Sequence, residues 1–227
     1  MDWDIRRFTE LDSTNRWLLD EARAGAPEGL VAVADHQTAG RGRLGRTWEA
    51  PAGASLLASI LLRPDLPPER RHLVTTVVAL AGVAAVAETG AALKWPNDLL
   101  VGDRKVAGVL AEADAGAVVV GIGINLNWEG DPPANGIAVN QVLGRPVDRD
   151  AVLDELLEGL AARYGHWDAV AAEYRERCAT LHRNVRVELT DETFTGVAAD
   201  VNDDGHLLVD VGTCIRTVAA ADVIHLR

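Results

Sequence analysis

The glycine- and arginine-rich segment GRGRLGR, residues 40–46, constrains the fold of this chain more than any other feature. It follows an apolar stretch, residues 30–35, that predicts a β-strand, and it formally satisfies the G-x-G-x-x-G pattern of dinucleotide-binding loops. That fold needs a helix directly after the glycines, because the helix N-terminus receives the pyrophosphate. Here Thr47-Trp48-Glu49-Ala50-Pro51 follows and leads to another apolar strand. A nicotinamide oxidoreductase is therefore only a distant alternative.

The charge of this segment, which we call the arginine loop, contrasts with the rest of the chain. Arg41, Arg43 and Arg46 lie in a stretch from His36 to Trp48 without any acidic residue, whereas the whole chain carries a formal net charge of −12. Guanidinium groups match phosphate and carboxylate oxygens, and glycines let backbone approach a ligand closely. The loop therefore predicts a flexible cover over a small polyanionic ligand. The overall negative charge disfavours DNA or an anionic membrane as a partner.

Composition predicts a soluble protein of the cytoplasm. The chain has 227 residues, of which 48% are hydrophobic and 25% charged, and its first residues show no signal peptide. The most apolar helical stretch, residues 73–86, is too short to span a bilayer. Cys178 and Cys214 are expected to be two buried thiols in a reducing compartment. The six histidines show no metal-binding spacing, so no protein-bound metal site is predicted.

Hydrophobic patterning predicts two parts, residues 1–180 and residues 181–227. In the first part, strands are expected at residues 3–8, 30–35, 55–62, 92–95, 99–101, 106–112 and 117–125. Helices are expected from Asp12 or Ser13 to Gly25, at residues 70–88, and at residues 150–178 with a break near Gly165. Residues 129–148 are expected to form a surface connection. From about Val185, short alternating segments predict a small β-barrel that packs on the larger part.

Three further segments carry polar groups suited to the same ligand. Ser13-Thr14-Asn15 offers hydroxyls and an amide at a helix start, although an N-cap alone would explain Ser13. Residues 94–98, KWPND, place a cation, an indole, an amide and a carboxylate around a proline turn. Lys105 lies in a predicted hairpin turn, where solvation is the simpler interpretation. Residues 121–127, GIGINLN, contain two glycines that allow close approach of backbone to a ligand.

In this order and spacing, these segments resemble the bacterial biotin protein ligases (biotin–[acetyl-CoA-carboxylase] ligases) over nearly the whole chain. The resemblance depends on residues 13–15, residues 37–46, Trp48, KWPNDL at 94–99, residues 105–108 with Glu112, and residues 121–127. It implies an α+β fold in which helices flank a mixed β-sheet, the class II synthetase-like catalytic domain of biotin and lipoate ligases. A small C-terminal SH3-like β-barrel would follow.

The resemblance also implies a reaction. Such ligases join biotin to ATP as biotinyl-5′-AMP, with Mg²⁺ accompanying the ATP, and then transfer biotin to a lysine of a biotin carboxyl carrier protein. The substrates supply both nucleophiles, which agrees with the lack of a convincing nucleophile–base pair in this sequence.

The implied roles fall into three sets. Catalysis would involve Arg43, Lys105 and Asp98. Biotin would be bound by Ser13, Thr14, Asn15, Gln37, Arg41, Gly42, Arg43, Lys105 and Gly108. ATP would be bound by Arg43, Arg46, Trp48, Lys94, Asn97 and Asn125.

Other interpretations of the sequence remain. A lipoate–protein ligase would share the fold and the adenylate chemistry, and a module that only senses biotin or a nucleotide would share the binding site. Because the Ser-Thr-Asn segment begins at residue 13, no DNA-binding module and no repressor activity are expected. The sequence leaves open the carrier protein and the oligomeric state, for which a homodimer is one possibility.

Overall fold

A seven-stranded mixed β-sheet forms the larger part of the molecule. The computed structural model describes residues 1–114, 116–133 and 135–226. The strands of this sheet are β1 (Asp4–Leu11), β2 (Leu30–Gln37), β3 (Ser55–Leu62), β4 (Ala92–Lys94), β5 (Asp98–Val101), β6 (Arg104–Asp114) and β7 (Ala117–Asn125). Their spatial order is β1-β2-β3-β7-β6-β5-β4. Only β1 and β2 pair in parallel among the described pairs, and the other neighbours are antiparallel.

Helices cover both faces of this sheet. They are α1 (Thr14–Arg23), α2 (His72–Ala85), α3 (Val139–Leu143), α4 (Arg149–Ala161) and α5 (Trp167–Arg177). Helix α1 packs against β2 and β3, while α2 packs against β6, β7 and α4. All eight residues of β3 are buried as a result, which explains why its sequence SLLASILL does not alternate between apolar and polar residues.

The two sides of β3 belong to different apolar clusters. Leu56 and Ile60 join the main core with α2, and Leu61 joins a smaller cluster with Leu18 of α1. Side chains two positions apart share a face of a strand, so Ser55 and Ser59 lie on the same face as Leu61. Both serines are fully buried, so their hydroxyls lie on the α1 side of the sheet without contact to solvent.

A second sheet of five antiparallel strands forms the C-terminal part. Its strands are β8 (Asn184–Glu188), β9 (Thr193–Val201), β10 (Leu207–Asp210), β11 (Ile215–Val218) and β12 (Asp222–His225). Their order is β11-β10-β9-β8-β12, so β11 and β12 are the two edges of the sheet. The predicted fold class is confirmed, with one difference: hydrogen bonds between the described strands leave this sheet open and do not close it as a barrel.

Several sequence predictions need correction. The connection at residues 129–148 contains helix α3, and strand β12 was not predicted at all. Cys178 is buried as expected, but Cys214 is exposed, because it lies in the turn between two short strands. Lys105 belongs to strand β6 and not to a turn. The predicted break near Gly165 is confirmed, since α4 ends at Ala161 and α5 begins at Trp167.

In the part of the chain that the structure describes, none of the helices combines the length and the apolar character needed to cross a membrane.

Candidate active site

A cavity of about 600 Å³ lies between the α1 side of the large sheet and the arginine loop. Every residue that the sequence singled out for catalysis or binding lines it. These residues are Ser13, Thr14, Asn15, Gln37, Arg41, Gly42, Arg43, Arg46, Trp48, Lys94, Asn97, Asp98, Lys105, Gly108 and Asn125. They come from segments far apart in the chain. The fold brings them together because β7 lies between β3 and β6 in the sheet and the arginine loop crosses these strands.

The start of helix α1 supplies one end of the cavity, which we call the polar end (Thr14, Asn15, Gln37 and Ser59). The backbone N–H and hydroxyl of Thr14 donate to Gln37 Oε1 at 2.8 and 3.0 Å. Ser59 Oγ lies 2.6 Å from both Thr14 Oγ1 and Asn15 Oδ1. Asn15 and Ser59 are buried, so each neutral group is held in a fixed direction by another. Ser13 caps the helix, with its Oγ 3.5 Å from the Arg16 N–H, and also lines the cavity.

Strand β6 holds Asn15 from the other side. Asn15 Nδ2 donates to Leu110 O at 3.2 Å and to Glu112 Oε2 at 2.9 Å. The second carboxylate oxygen of Glu112 lies 2.8 Å from Arg41 Nη1 at the start of the arginine loop. One carboxylate therefore contacts both the polar end and the loop.

Glycines in the sheet make room for Asn15 and Trp48. A Cβ atom on Gly121 would collide with Asn15 Oδ1, and one on Gly123 would collide with the indole ring of Trp48. The Trp48 indole therefore lies directly on the backbone of β7. Its Nε1 is buried and has no hydrogen-bond partner among the described residues. An unpaired buried donor in a ligand cavity is a group that a ligand acceptor would stabilise.

The other end of the cavity, which we call the cationic end, contains Lys94, Asp98, Lys105, Asn97 and Arg43. Lys105 Nζ lies 2.6 Å from Asp98 Oδ1, and Lys94 Nζ lies 3.8 Å from Asp98 Oδ2. All three side chains are 19–30% exposed. Asn97 Nδ2 donates to the Val109 carbonyl at 2.7 Å, which leaves its Oδ1 to accept from Arg43 Nη1 at 3.1 Å.

Arg43 differs from the other cations of the cavity. Among the described residues, no carboxylate oxygen lies within 4.0 Å of its guanidinium, whereas Arg41, Arg46, Lys94 and Lys105 each have such a partner. Burial lowers the pKa of Arg43 below its usual value, and the charges of Asp222 and Asp98 oppose that effect. The group still remains protonated at neutral pH, because a guanidinium titrates far above it. A half-buried cation without a carboxylate partner favours binding of a ligand anion.

The C-terminal sheet closes the cavity on the loop side. Both terminal nitrogens of Arg46 donate to the carboxylate of Asp222 at the start of β12. Asp222, Val223 and Ile224 of β12 and Glu188 of β8 line the cavity. The second sheet therefore supplies part of the wall, which the sequence analysis did not foresee.

Asn125 and the strand end before it are held by backbone groups. Asn125 Nδ2 lies 3.4 Å from the Lys105 carbonyl and 3.3 Å from the Ile137 carbonyl. The Lys105 carbonyl also accepts from the Ile137 N–H at 2.9 Å. These contacts fix the backbone from which the Lys105 side chain extends.

Behind Lys94, a hydrogen-bonded chain joins the two sheets. The Trp95 N–H donates to Thr180 Oγ1 at 3.0 Å, and Thr180 Oγ1 lies 3.0 Å from His225 Nε2. The Trp95–Pro96 peptide bond is cis. Burial, followed by the charges of Lys94 and Arg183, lowers the pKa of His225 to about 4. The imidazole is therefore neutral at pH 7, and its Nε2 shares a hydrogen bond with the Thr180 hydroxyl.

Sequence reasoning missed Ser59, Asp222 and the part played by Glu112. A faint signal existed for Ser59, since a serine inside an otherwise apolar strand needs a polar partner. Asp222 gave no signal, because it is one of many acids in the C-terminal part. Among the described residues that line the cavity there is neither histidine nor cysteine. Residues 1–114, 116–133 and 135–226 also contain no cluster of three or more His, Cys, Asp or Glu that could hold a metal ion.

Comparison with known proteins gives a consistent result. Residues 7–129 match the model of the biotin/lipoate A/B protein ligase family, and residues 180–226 match the biotin protein ligase C-terminal domain. The biotin–[acetyl-CoA-carboxylase] ligase of Mycobacterium tuberculosis is 40% identical, over 95% of this chain and 86% of that protein. The bifunctional ligase/repressor BirA of Escherichia coli is 32% identical, over 91% of this chain and 69% of that protein.

A solved structure shows the same architecture. The biotin protein ligase of Aquifex aeolicus in complex with biotin and ATP superposes with a TM-score of 0.84. The two proteins are 27% identical, and the alignment covers 98% of this chain and 99% of that one.

Proposed function

The chain belongs to the biotin/lipoate A/B protein ligase family, and on that premise we propose that it activates biotin with ATP and transfers it to a carrier lysine. One observation carries the proposal: a single cavity joins a buried neutral end to a cationic end. The neutral end suits a ligand that both donates and accepts hydrogen bonds, as the ureido ring of biotin does. The cationic end suits the meeting of a carboxylate with a phosphate.

The first step brings two anions together. A biotin carboxylate oxygen attacks the α-phosphorus of ATP, the bond from that phosphorus to the bridging oxygen breaks, and pyrophosphate leaves. Two unit charges 4 Å apart repel by about 4 kcal/mol at an effective dielectric constant near 20. We propose that Lys105 and Arg43 neutralise this junction. Both side chains enter the same cavity, and Arg43 has no carboxylate partner there among the described residues.

Recognition of biotin is proposed for the polar end and the first half of the loop. Ser13, Thr14, Asn15 and Gln37 would hydrogen-bond the ureido ring. Buried groups of this kind reject analogues that lack a partner for them. Arg41 and Gly42 would cover the vitamin, and Gly108 would leave space beside Lys105.

Recognition of ATP is proposed for the second half of the loop and the strand ends. Arg46 would contact the phosphates, Trp48 would cover the adenine or the biotin tail, and Lys94, Asn97 and Asn125 would orient the nucleotide. Mg²⁺ would enter with ATP, bound to phosphate oxygens. The Asp98 carboxylate already contacts two ammonium groups, so it fits an orienting role better than that of a metal ligand.

The second step transfers biotin to an amine. The neutral amine nitrogen of a lysine on a biotin carboxyl carrier protein attacks the acyl carbon, AMP leaves with the electrons of the cleaved C–O bond, and the nitrogen releases one proton to solvent as the amide forms. We propose that Asp98 orients this amine. The cavity lining that the structure describes offers cations and hydrogen-bond donors but no histidine or cysteine, which favours acceleration through positioning and charge.

Two predictions about organisation become proposals here. We place the division between the parts at residues 180 and 181, supported by the start of β8 at Asn184. Assembly as a homodimer remains a proposal that sedimentation of the purified chain would test.

The decisive experiment is biotin labelling of a carrier fragment. The purified chain, ATP, Mg²⁺ and biotin should label the fragment on one lysine and release AMP and pyrophosphate, while lipoate in place of biotin should give no product. Labelling with lipoate but not biotin would establish the lipoate ligase. Biotin binding without any pyrophosphate release would establish a sensing module.

A further inference from the structure

Glu112 on strand β6 lies outside the cavity wall but contacts two segments that form it. Its carboxylate accepts from Asn15 Nδ2 at 2.9 Å through one oxygen, and its other oxygen lies 2.8 Å from Arg41 Nη1. The Glu112 side chain is only 21% exposed. None of the roles proposed above uses this residue.

The contact with Asn15 determines which way its amide points. Asn15 Nδ2 donates to Glu112 and to the Leu110 carbonyl, while Asn15 Oδ1 accepts from Ser59. Both ends of the amide therefore have partners of the correct type. An amide that turned over would place an N–H₂ group against the Ser59 hydroxyl and a carbonyl oxygen against the Glu112 carboxylate. The negative charge of Glu112 makes that second contact repulsive.

The contact with Arg41 fixes the base of the arginine loop. Arg41 pairs with Thr47 in a short antiparallel bridge, and the Gly42 N–H donates to the Arg46 carbonyl at 2.7 Å. The Trp48 N–H donates to the Gly40 carbonyl at 3.0 Å. Because the two sides of the loop are hydrogen-bonded together, holding the Arg41 side chain also holds the segment that carries Trp48.

An ordinary surface ion pair on the same strand provides a comparison. Asp114, two residues further along β6, pairs with Arg23 of α1, and its side chain is 39% exposed. Exposed pairs of this kind contribute little to stability. Glu112 is more buried and links an amide at the cavity to the arginine loop, so its removal should affect the site and not only the surface.

We propose that Glu112 is a positioning residue that couples the arginine loop to the polar end of the cavity. It sets the orientation of the Asn15 amide for biotin and holds Arg41 over the same substrate. The inference depends on the proposed function for its kinetic consequence but not for its effect on the loop.

The test compares Glu112→Gln with the matched variant Asp114→Asn. Asn15 and Arg41 contact different oxygens of Glu112, and a glutamine at position 112 replaces one of these oxygens with an NH₂ donor, so one of the two contacts loses its acceptor. Trypsin cleavage after Arg43 and Arg46 in ligand-free protein should become about tenfold faster, the factor that corresponds to about 1.4 kcal/mol. In biotin-dependent ATP–pyrophosphate exchange, the KM for biotin should rise about tenfold while kcat stays within about twofold. Asp114→Asn should change neither quantity.

The outcomes separate this inference from the proposed function. The inference is wrong if Glu112→Gln and Asp114→Asn show the same rate of loop cleavage or the same KM for biotin. It is also wrong if Glu112→Gln lowers kcat and changes neither of the other quantities. If the native chain shows no biotin-dependent exchange, the proposed function is wrong, whereas faster loop cleavage in Glu112→Gln would still support the Arg41 contact. Should Glu112→Gln fail to fold, Arg41→Gln removes the same contact from the loop side. Unchanged cleavage after Arg43 in that variant would overturn the inference.

Discussion

The two ends of the cavity contrast in how their polar groups are satisfied. At the polar end, Thr14, Asn15 and Ser59 are buried neutral groups, and Ser59 Oγ lies 2.6 Å from both Thr14 Oγ1 and Asn15 Oδ1. At the cationic end, Lys94, Lys105 and Asp98 are partly exposed charges in ion pairs. This difference shows how one cavity can use separate groups to discriminate between ligands and to promote the reaction. Neutral groups in fixed directions discriminate between ligands, whereas charges that can change partners respond to the charge that builds up during a reaction.

The largest expected effect comes from removing the ammonium at the cationic end. Lys105→Ala should slow adenylation by about 100- to 1000-fold, the usual cost of losing one electrostatic stabiliser of a transition state. Biotin affinity should change much less, because the polar end stays intact. Pyrophosphate release and calorimetric biotin binding measure the two quantities.

The surface variant Arg23→Ala serves as the control for that experiment, since Arg23 pairs with Asp20 and Asp114 away from the cavity. A nearly native rate of adenylation in Lys105→Ala would remove this residue from the reaction.

The next largest effect is expected at the polar end, where a substitution should weaken biotin binding and leave the reaction rate almost unchanged. Ser59→Ala leaves Asn15 Oδ1 without its donor, so the amide is free to turn away from the direction that biotin requires. If biotin has to restore that direction at a cost of about 1–3 kcal/mol, the Kd for biotin should rise roughly 5- to 150-fold. The rate at saturating biotin should hardly change. Ser55→Ala removes an equally buried hydroxyl from the same strand, one that accepts from Trp128 Nε1 at 3.0 Å.

Ser55→Ala should therefore lower stability but leave the Kd for biotin unchanged. An equal loss of biotin affinity in both serine variants would mean that Ser59 acts only through the packing of β3.

A smaller effect is expected where the second sheet contacts the loop. If ATP phosphates have to displace Asp222 from Arg46, Asp222→Asn should lower the KM for ATP by about two- to fivefold, the range of an exposed ion pair. Glu188→Gln, which removes the same charge from the same sheet without contacting Arg46, should lower it less. A KM for ATP that is unchanged or higher in Asp222→Asn would show that the carboxylate does not compete with the nucleotide.

The smallest effect concerns the free energy of unfolding. It tests whether the charge of Lys94, at the cationic end, influences His225 in the second sheet. The pKa of His225 is held at about 4 by burial and by Lys94 and Arg183, with Asp103 acting in the opposite direction. An unfolded histidine titrates near pH 6.5. Protons therefore bind the unfolded chain more tightly, so the free energy of unfolding should fall as pH drops from about 6.5 to about 4.

Because His225 is partly exposed, this loss should amount to roughly 1 kcal/mol, or about 2–4 °C in Tm. His225→Gln should flatten that part of the pH profile measured by thermal unfolding. An identical profile in the variant would assign the acid sensitivity to other groups, such as His72, whose pKa is also lowered by burial.

The residues singled out from the sequence all line the cavity, and most of the strands and helices were also predicted from the sequence. The motifs around Ser13, Arg43, Asn97 and Lys105 are local, and each contains the glycine, proline or polar residue that its backbone or its ligand requires. Length alone does not explain why strand β12 and helix α3 were missed, since β4 and β5 are as short and were predicted. The sequence DVIH of β12 places its two apolar residues side by side and so does not alternate, and VNQVL of α3 is too short to show a helical period.

The sequence by itself determined which chemical groups the site contains, since the composition and spacing of the motifs specify cations, amides and hydroxyls near glycines. Only the tertiary structure decided how these groups are paired. That Glu112 faces both Asn15 and Arg41, that Ser59 completes the polar end, and that Asp222 contacts Arg46 all depend on strand register and on the position of the second sheet. Those are set by packing between segments far apart in the chain, and no local pattern of residues encodes them.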